Sequence, residues 1–208
     1  PLAKMLNINR GNRFVSLSSF SSKTRGIEAW AAANLPPGHA ARQTSFAQGD
    51  VITTILTCAH GETVVLTHDT SLPRPYSRGG RVQGTRGIWM ELNNSIYLDG
   101  KSHGHEWESF DAYMSEYDHP LWKKSDVADF TAGHGGMDYL ILRAFIEPLQ
   151  SGLDVMPIDL YDTVTWMAVT ALSEESIALG GHPVPFPDFT RGAWIEREPA
   201  PRHRYSLD

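Results

Sequence analysis

The sequence predicts an α+β domain: an open, mostly antiparallel sheet with helices packed on one face. Two observations lead there. The β-rich runs come first and are joined by short turns, which suits antiparallel pairing better than βαβ units. The long helical patterns come afterwards, in the last third of the 208 residues. At 41% hydrophobic residues the chain can bury a core and is read as one domain spanning residues 1–208.

Taken in order, Leu2, Met5 and Leu6 recur at helical spacing until Asn9-Arg-Gly-Asn12 stops the pattern. The chain therefore reads as beginning near the end of a helix whose start lies upstream, in the carboxy-terminal part of a larger protein. Residues 13–20 read as a strand and 23–33 as a helix, which Pro36, Pro37 and Gly38 end. Residues 51–57 and 63–68 form a hairpin, and residues 82–92 and 95–98 form a second one about Asn93-Asn94. Phe110, Tyr113 and Tyr117 keep helical spacing. Met137, Leu140, Ile141, Ala144 and Phe145 make an apolar stripe closed by Pro148. Asp159 caps a long helix that Gly180-Gly181 stop, with Leu160, Val164, Met167, Ala168, Ala171 and Leu172 facing the core. The tail from Pro183 to Phe189 is expected to run extended across the surface.

Composition excludes some classes. A formal charge of −6 argues against a nucleic-acid binder. No run approaches the ~18 apolar residues that read as a membrane-spanning helix. Cys58, the single cysteine, permits no intramolecular disulfide and lies in an apolar run that predicts burial.

The most informative stretch is Leu72-Pro-Arg-Pro-Tyr-Ser-Arg-Gly-Gly-Arg81, where Tyr76 stands between stiffening prolines and a basic, glycine-rich run. A phenol beside Arg74, Arg78 and Arg81 suits a polyhydroxylated or anionic ligand; a plain basic surface loop is the competing reading. Gly133-His-Gly-Gly-Met-Asp138 opens a helix but fails the dinucleotide fingerprint, since Asp138 stands where the third glycine belongs. His134 is read either as aimed at a ligand or as capping that turn. His103, His105, Glu106 and Glu108 follow no metal-ligand spacing and read as a solvated loop, so no metal is expected. Glu174 and Glu175 are adjacent on a core helix and point apart. They make a poor acid–base pair, and an ordinary two-carboxylate glycosidase mechanism finds no support.

The segments Leu6-Asn-Ile-Asn-Arg-Gly-Asn-Arg-Phe14, Leu72-Pro-Arg-Pro-Tyr-Ser-Arg78, Gly84-Thr-Arg-Gly-Ile-Trp89, Tyr97-Leu-Asp-Gly100, His119-Pro-Leu-Trp-Lys123, Gly133-His-Gly-Gly-Met-Asp-Tyr139 and Pro185-Phe-Pro-Asp-Phe-Thr-Arg-Gly192 together resemble glycoside hydrolase family 109, within the Gfo/Idh/MocA superfamily. The resemblance implies an NAD-dependent α-N-acetylgalactosaminidase. Its amino-terminal Rossmann domain, absent from this chain, holds NAD. The carboxy-terminal domain supplies substrate binding and oligomerisation. It also implies chemistry in which NAD transiently oxidises C3 of the sugar, the C1 leaving group is eliminated, water adds, and the ketone is reduced again.

Of the family's functional residues, the sugar-contacting tyrosine maps to Tyr76; Arg74, Arg78 and His134 are weaker substrate-binding candidates. No catalytic residue is placed in this chain, which alone is expected to be inactive. The implied partners are a glycan or amino-sugar substrate, the Rossmann domain, and a second copy through the sheet. Periplasmic or secreted location is favoured over cytoplasmic. Two alternatives stand beside this reading: a sugar oxidoreductase of the same superfamily, and a non-catalytic carbohydrate-binding or assembly domain.

Overall fold

A computed structural model describes residues 2–121, 134–153 and 156–199. Trp122, Lys123 and Gly133, all named above, lie outside the described residues. Eight strands are present among those described: β1 (Phe14–Ser21), β2 (Val51–Cys58), β3 (Thr63–Asp69), β4 (Arg81–Gly84), β5 (Gly87–Met90), β6 (Ser95–Leu98), β7 (Glu108–Ser109) and β8 (Val184–Pro185). The helices are α1 (Leu2–Met5), α2 (Gly26–Asn34), α3 (Asp111–Tyr117), α4 (Met137–Gln150) and α5 (Leu160–Ala178). The α+β class and the antiparallel pairing expected from the sequence are both present. The single sheet is corrected: the strands divide between two four-stranded sheets, β3-β2-β1-β8 and β4-β5-β6-β7. They belong to two compact units, Pro1–Leu72 with Leu142–Asp208, and Pro73–Ile141.

In the first unit the β-branched and aromatic runs pair as Leu17↔Leu56 and Leu56↔Val64, an apolar row buried across three strands. Ala168, Val169 and Leu172 of α5 pack on that row, with Ile8, Phe14 and Cys58 completing the core. The tail does not merely cross the surface. Val184 and Pro185 pair with β1, and Phe186 is buried with its ring 5.4 Å from that of Phe14.

Helix α5 begins as the sequence predicts. Asp159 Oδ1 accepts the Asp162 N–H at 3.0 Å, and the Asp162 carboxylate accepts the Asp159 N–H in return. Its inner face is the predicted stripe only in part: Ala168 and Leu172 pack on the core as expected, but Leu160 and Met167 are exposed while Asp162, Thr165 and Ser176 are buried. These polar side chains are each satisfied. Thr165 accepts from Asn9 Nδ2 at 3.1 Å, and Ser176 Oγ accepts the Ser19 N–H and donates to the His182 carbonyl, both at 2.8 Å. A buried hydroxyl costs little when it is hydrogen-bonded.

Two expectations about α4 also change. Pro148 lies inside the helix, which continues to Gln150. Of the expected core stripe only Leu140 is buried, and Met137, Ile141 and Phe145 are exposed.

The second unit is an antiparallel meander. The predicted 82–92 strand is in fact two, because Gly84 pairs with Gly87 around a two-residue turn. A Cβ at Gly87 would lie 2.3 Å from the Tyr97 carbonyl oxygen, so glycine is required there. The short β7 adds to β6 through Ile96↔Glu108. Helix α3 covers one face: Phe110, which precedes it, packs edge-on against Trp89 at 5.8 Å, and the Tyr113 hydroxyl donates to Glu108 at 2.8 Å.

Candidate functional site

The loop entering β4 is built to hold a side chain out into solvent. Pro73 and Pro75 fix the backbone on either side of Arg74, and Arg74 turns back along the loop. Its guanidinium donates to the carbonyls of Pro75 at 3.3 Å and Ser77 at 3.0 Å, bracing the Pro75–Tyr76 and Ser77–Arg78 peptide units. Ser77 Oγ accepts the Gly79 N–H at 2.8 Å, closing a turn in which Gly79 sits at φ 60.

Glu91 then fastens the end of the loop to the sheet. Its carboxylate accepts the Gly80 N–H at 2.8 Å and lies 3.6 Å from the Arg78 guanidinium. Its own N–H donates to the Gly80 carbonyl at 2.8 Å. The Gly80 N–H, more than partial desolvation can offset, and the Arg78 guanidinium hold the Glu91 carboxyl below its usual range. Gly80 must lack a side chain, since a Cβ would meet the Trp89 ring at 2.9 Å. With both ends held, Tyr76 stands 86% exposed.

The sequence-predicted site residues thus fall into two groups. Tyr76, Arg74 and Arg78 share one braced loop, with the arginines ordering it. His134 is held locally on its own helix: its Nδ1 lies 3.1 Å from both carboxylate oxygens of Asp138, one turn on. His134 at φ 45, Gly135 at φ 67 and Gly136 at φ 90 form the left-handed entry to α4.

The structure adds a feature that local sequence pattern does not mark. His105 and Glu106, for which the sequence predicts a solvated loop, line a shallow cavity of about 200 Å³ with Ile88, Tyr97 and Trp107. The signal lay in strand register, which hydrophobic pattern alone does not fix. Among the described residues no three His, Cys, Asp or Glu side chains gather as a metal site, and no helix is long and apolar enough to cross a membrane.

Comparison with known proteins supplies the class. The chain belongs to the glycosyl hydrolase 109 family: the description "Glycosyl hydrolase 109, C-terminal domain" matches residues 1–196. A glycosyl hydrolase family 109 protein of Stenotrophomonas maltophilia (strain K279a) is 50% identical over 200 residues, covering 96% of this chain and 44% of the relative. An alpha-N-acetylgalactosaminidase of Tannerella forsythia is 47% identical over 200 residues, covering 96% of this chain and 42% of that enzyme. A family 109 protein of Parabacteroides distasonis is 44% identical over 199 residues, with the same shares. The chain therefore spans less than half the length of these relatives.

Proposed function

We propose that this chain is the substrate-binding and assembly part of an NAD-dependent glycosidase that hydrolyses α-N-acetylgalactosaminides. The observation that carries the reading is the 47% identity, across 96% of the chain, to a protein named as an alpha-N-acetylgalactosaminidase. The loop geometry supports it. A phenol presented at 86% exposure on a braced loop can donate to or accept from a sugar hydroxyl without reorganising the protein.

In this proposal NAD is held by a Rossmann domain in the portion of the longer protein beyond this chain. The glycine-containing start of α4 does not fit a dinucleotide. At the start of α4 the Asp138 carboxylate faces His134, so a pyrophosphate would meet negative charge. What the chain's own residues contribute is recognition: Tyr76 contacts the sugar, and Arg74 and Arg78 keep its loop in shape. The face of the first sheet turned away from α5 exposes Ile55 and Val65, which supports pairing with a second copy. Periplasmic or secreted location belongs to the same proposal and rests on family resemblance.

The test uses the full-length protein carrying this chain, with NAD and an aryl α-N-acetylgalactosaminide. Release of the aryl group without net NADH is the expected result, with none from the 208-residue chain alone. NADH accumulating without aglycone would make it a sugar oxidoreductase. Neither product, with sugar still bound, would make it a binding domain.

A further inference from the structure

The register of the second sheet builds an aromatic platform apart from the Tyr76 loop. Ile88 pairs with Tyr97, and Ser95↔Ser109 and Ile96↔Glu108 set the β6–β7 register. One further step along that register puts Trp107 opposite Tyr97. Directly opposed residues share a face of an antiparallel sheet, so Ile88 of β5, Tyr97 of β6 and Trp107, the residue before β7, form one row, and all three line the same cavity. The other face carries Trp89, Ile96 and Glu108 and is covered through Phe110 and Tyr113.

The Ile88 row is open. Trp107 is 48% exposed, and the row floors the cavity of about 200 Å³ whose remaining lining is His105 and Glu106. That volume is below the ~300–1,000 Å³ of drug-sized pockets and suits one small ring. His105 stands at φ 64, a costly conformation for a residue other than glycine, in the turn that lines the cavity. Glu106 lies 3.6 Å from His103, both side chains being exposed, so its carboxylate is open to a ligand.

We infer that the Ile88–Tyr97–Trp107 row is a second saccharide subsite, where a pyranose of a glycan chain stacks its C–H face on the aromatic rings and gives its hydroxyls to Glu106 and His105. The inference rests on the reading that this chain handles glycans. The chemistry is that of a sugar, with one apolar face matched to aromatic carbon and a polar edge matched to a carboxylate and an imidazole.

The test is titration of the 208-residue chain with an α-N-acetylgalactosaminyl-galactose disaccharide. Affinity and the indole N–H shifts are followed by NMR, in wild-type and Tyr76→Phe backgrounds. Trp107→Ala is expected to weaken binding about tenfold in both backgrounds, and Trp107→Phe, which keeps a ring, to retain most of it. Glu106→Gln is expected to weaken binding to an intermediate degree. Should Trp107→Ala fail to fold, a conserved spectrum with weaker binding in Glu106→Gln still supports the subsite.

Unchanged affinity in Glu106→Gln together with unchanged affinity in any folded Trp107→Ala overturns it. So does a Trp107 signal that never responds to sugar, which would leave the platform as a protein contact. Because turnover of an aryl glycoside by the full-length protein does not need this row, failure here leaves the proposed function standing. Loss of aryl-glycoside turnover would instead remove the proposed function.

Discussion

Arg10 and Asp162 form a bidentate pair across 152 residues of sequence: Nη1 donates to Oδ1 at 2.8 Å and Nη2 to Oδ2 at 2.9 Å. The two side chains are 6% and 2% exposed. Arg10 also reaches Asp159 at 2.7 Å, and Asn9 Nδ2 donates to the Tyr161 carbonyl at 3.1 Å. The Asn9–Arg10 loop is thereby locked to the first turn of α5. Arg197 joins from the tail, pairing with Asp159 and lying over the Tyr161 ring at 4.7 Å.

Removing one partner of that pair leaves a buried charge without its counterion. Asp162→Ala and Arg10→Ala are each expected to destabilise the fold by about 3–5 kcal/mol, read from urea unfolding. In a double-mutant cycle the Asp162→Ala, Arg10→Ala protein should lose clearly less than the sum of the two. Additive losses would mean that the residues act separately.

The same network gives a pH dependence. Burial raises the Asp159 pKa, but the Asp162 N–H, Arg197 and Arg10 outweigh it and leave it lowered. The folded value therefore lies below the ordinary ~3.9, so this stabilisation is complete above that pH and is lost as pH falls through the folded value. Thermal midpoints should fall below about pH 4, and Asp159→Asn should flatten part of that fall. A variant with the full wild-type slope would remove Asp159 as a source.

Cys58 gives the opposite case. Burial, and then the Glu62 charge, push its pKa from 9.0 to about 11. The thiol should react slowly with an aromatic disulfide at about pH 8 in the native chain and quickly in denaturant. Its contribution to stability is full below the unfolded value and is lost as pH rises towards the folded one. Equal rates in both states would contradict its burial.

Much of the fold was legible because its signals are local. Val, Ile, Phe and Thr runs marked the strands, Asp159 marked the start of α5, and Gly180-Gly181 marked its end. Ala168 and Leu172 were legible on the inner face of α5, but the rest of that face was hidden because it carries Asp162, Thr165 and Ser176. Their partners Arg10, Asn9 and Ser19 lie 152 to 157 residues away, so no window of sequence shows them as satisfied. The division into two sheets was hidden because local pattern marks a strand but not its neighbour: β3 and β4 follow one another in sequence yet pair in different sheets, and β7, two residues long, carries no periodicity at all. At the candidate site, the prolines and glycines around Tyr76 showed a rigid turn. That Arg74 and Arg78 brace the loop required the positions of the Pro75 and Ser77 carbonyls and of Glu91.

His134→Ala separates the two roles left open for that residue. The pair with Asp138 is exposed on both sides, so loss of a helix-entry contact should change stability little. As a positioning contact at the helix start, it should leave kcat/KM of the full-length protein unchanged as well. A fall in kcat/KM with an unaltered melting temperature would make the histidine a substrate contact.

Tyr76 carries the sharpest prediction. A neutral hydrogen bond contributes about 0.5–1.5 kcal/mol net, so Tyr76→Phe should weaken sugar binding by up to about an order of magnitude. If the hydroxyl also orients the ring, kcat in the full-length protein falls further than binding does. Glu91→Ala tests the brace from a distance: it removes the acceptor of the Gly80 N–H and the partner of Arg78 while leaving the phenol in place. It should raise KM in the same direction as Tyr76→Phe, and Glu91→Gln, which can still accept from Gly80, should recover part of the loss. Steady-state kinetics on an aryl α-N-acetylgalactosaminide reads all three variants. Wild-type kcat/KM in Tyr76→Phe would take the tyrosine out of the site. Wild-type behaviour in Glu91→Ala alone would keep the tyrosine and discard the brace.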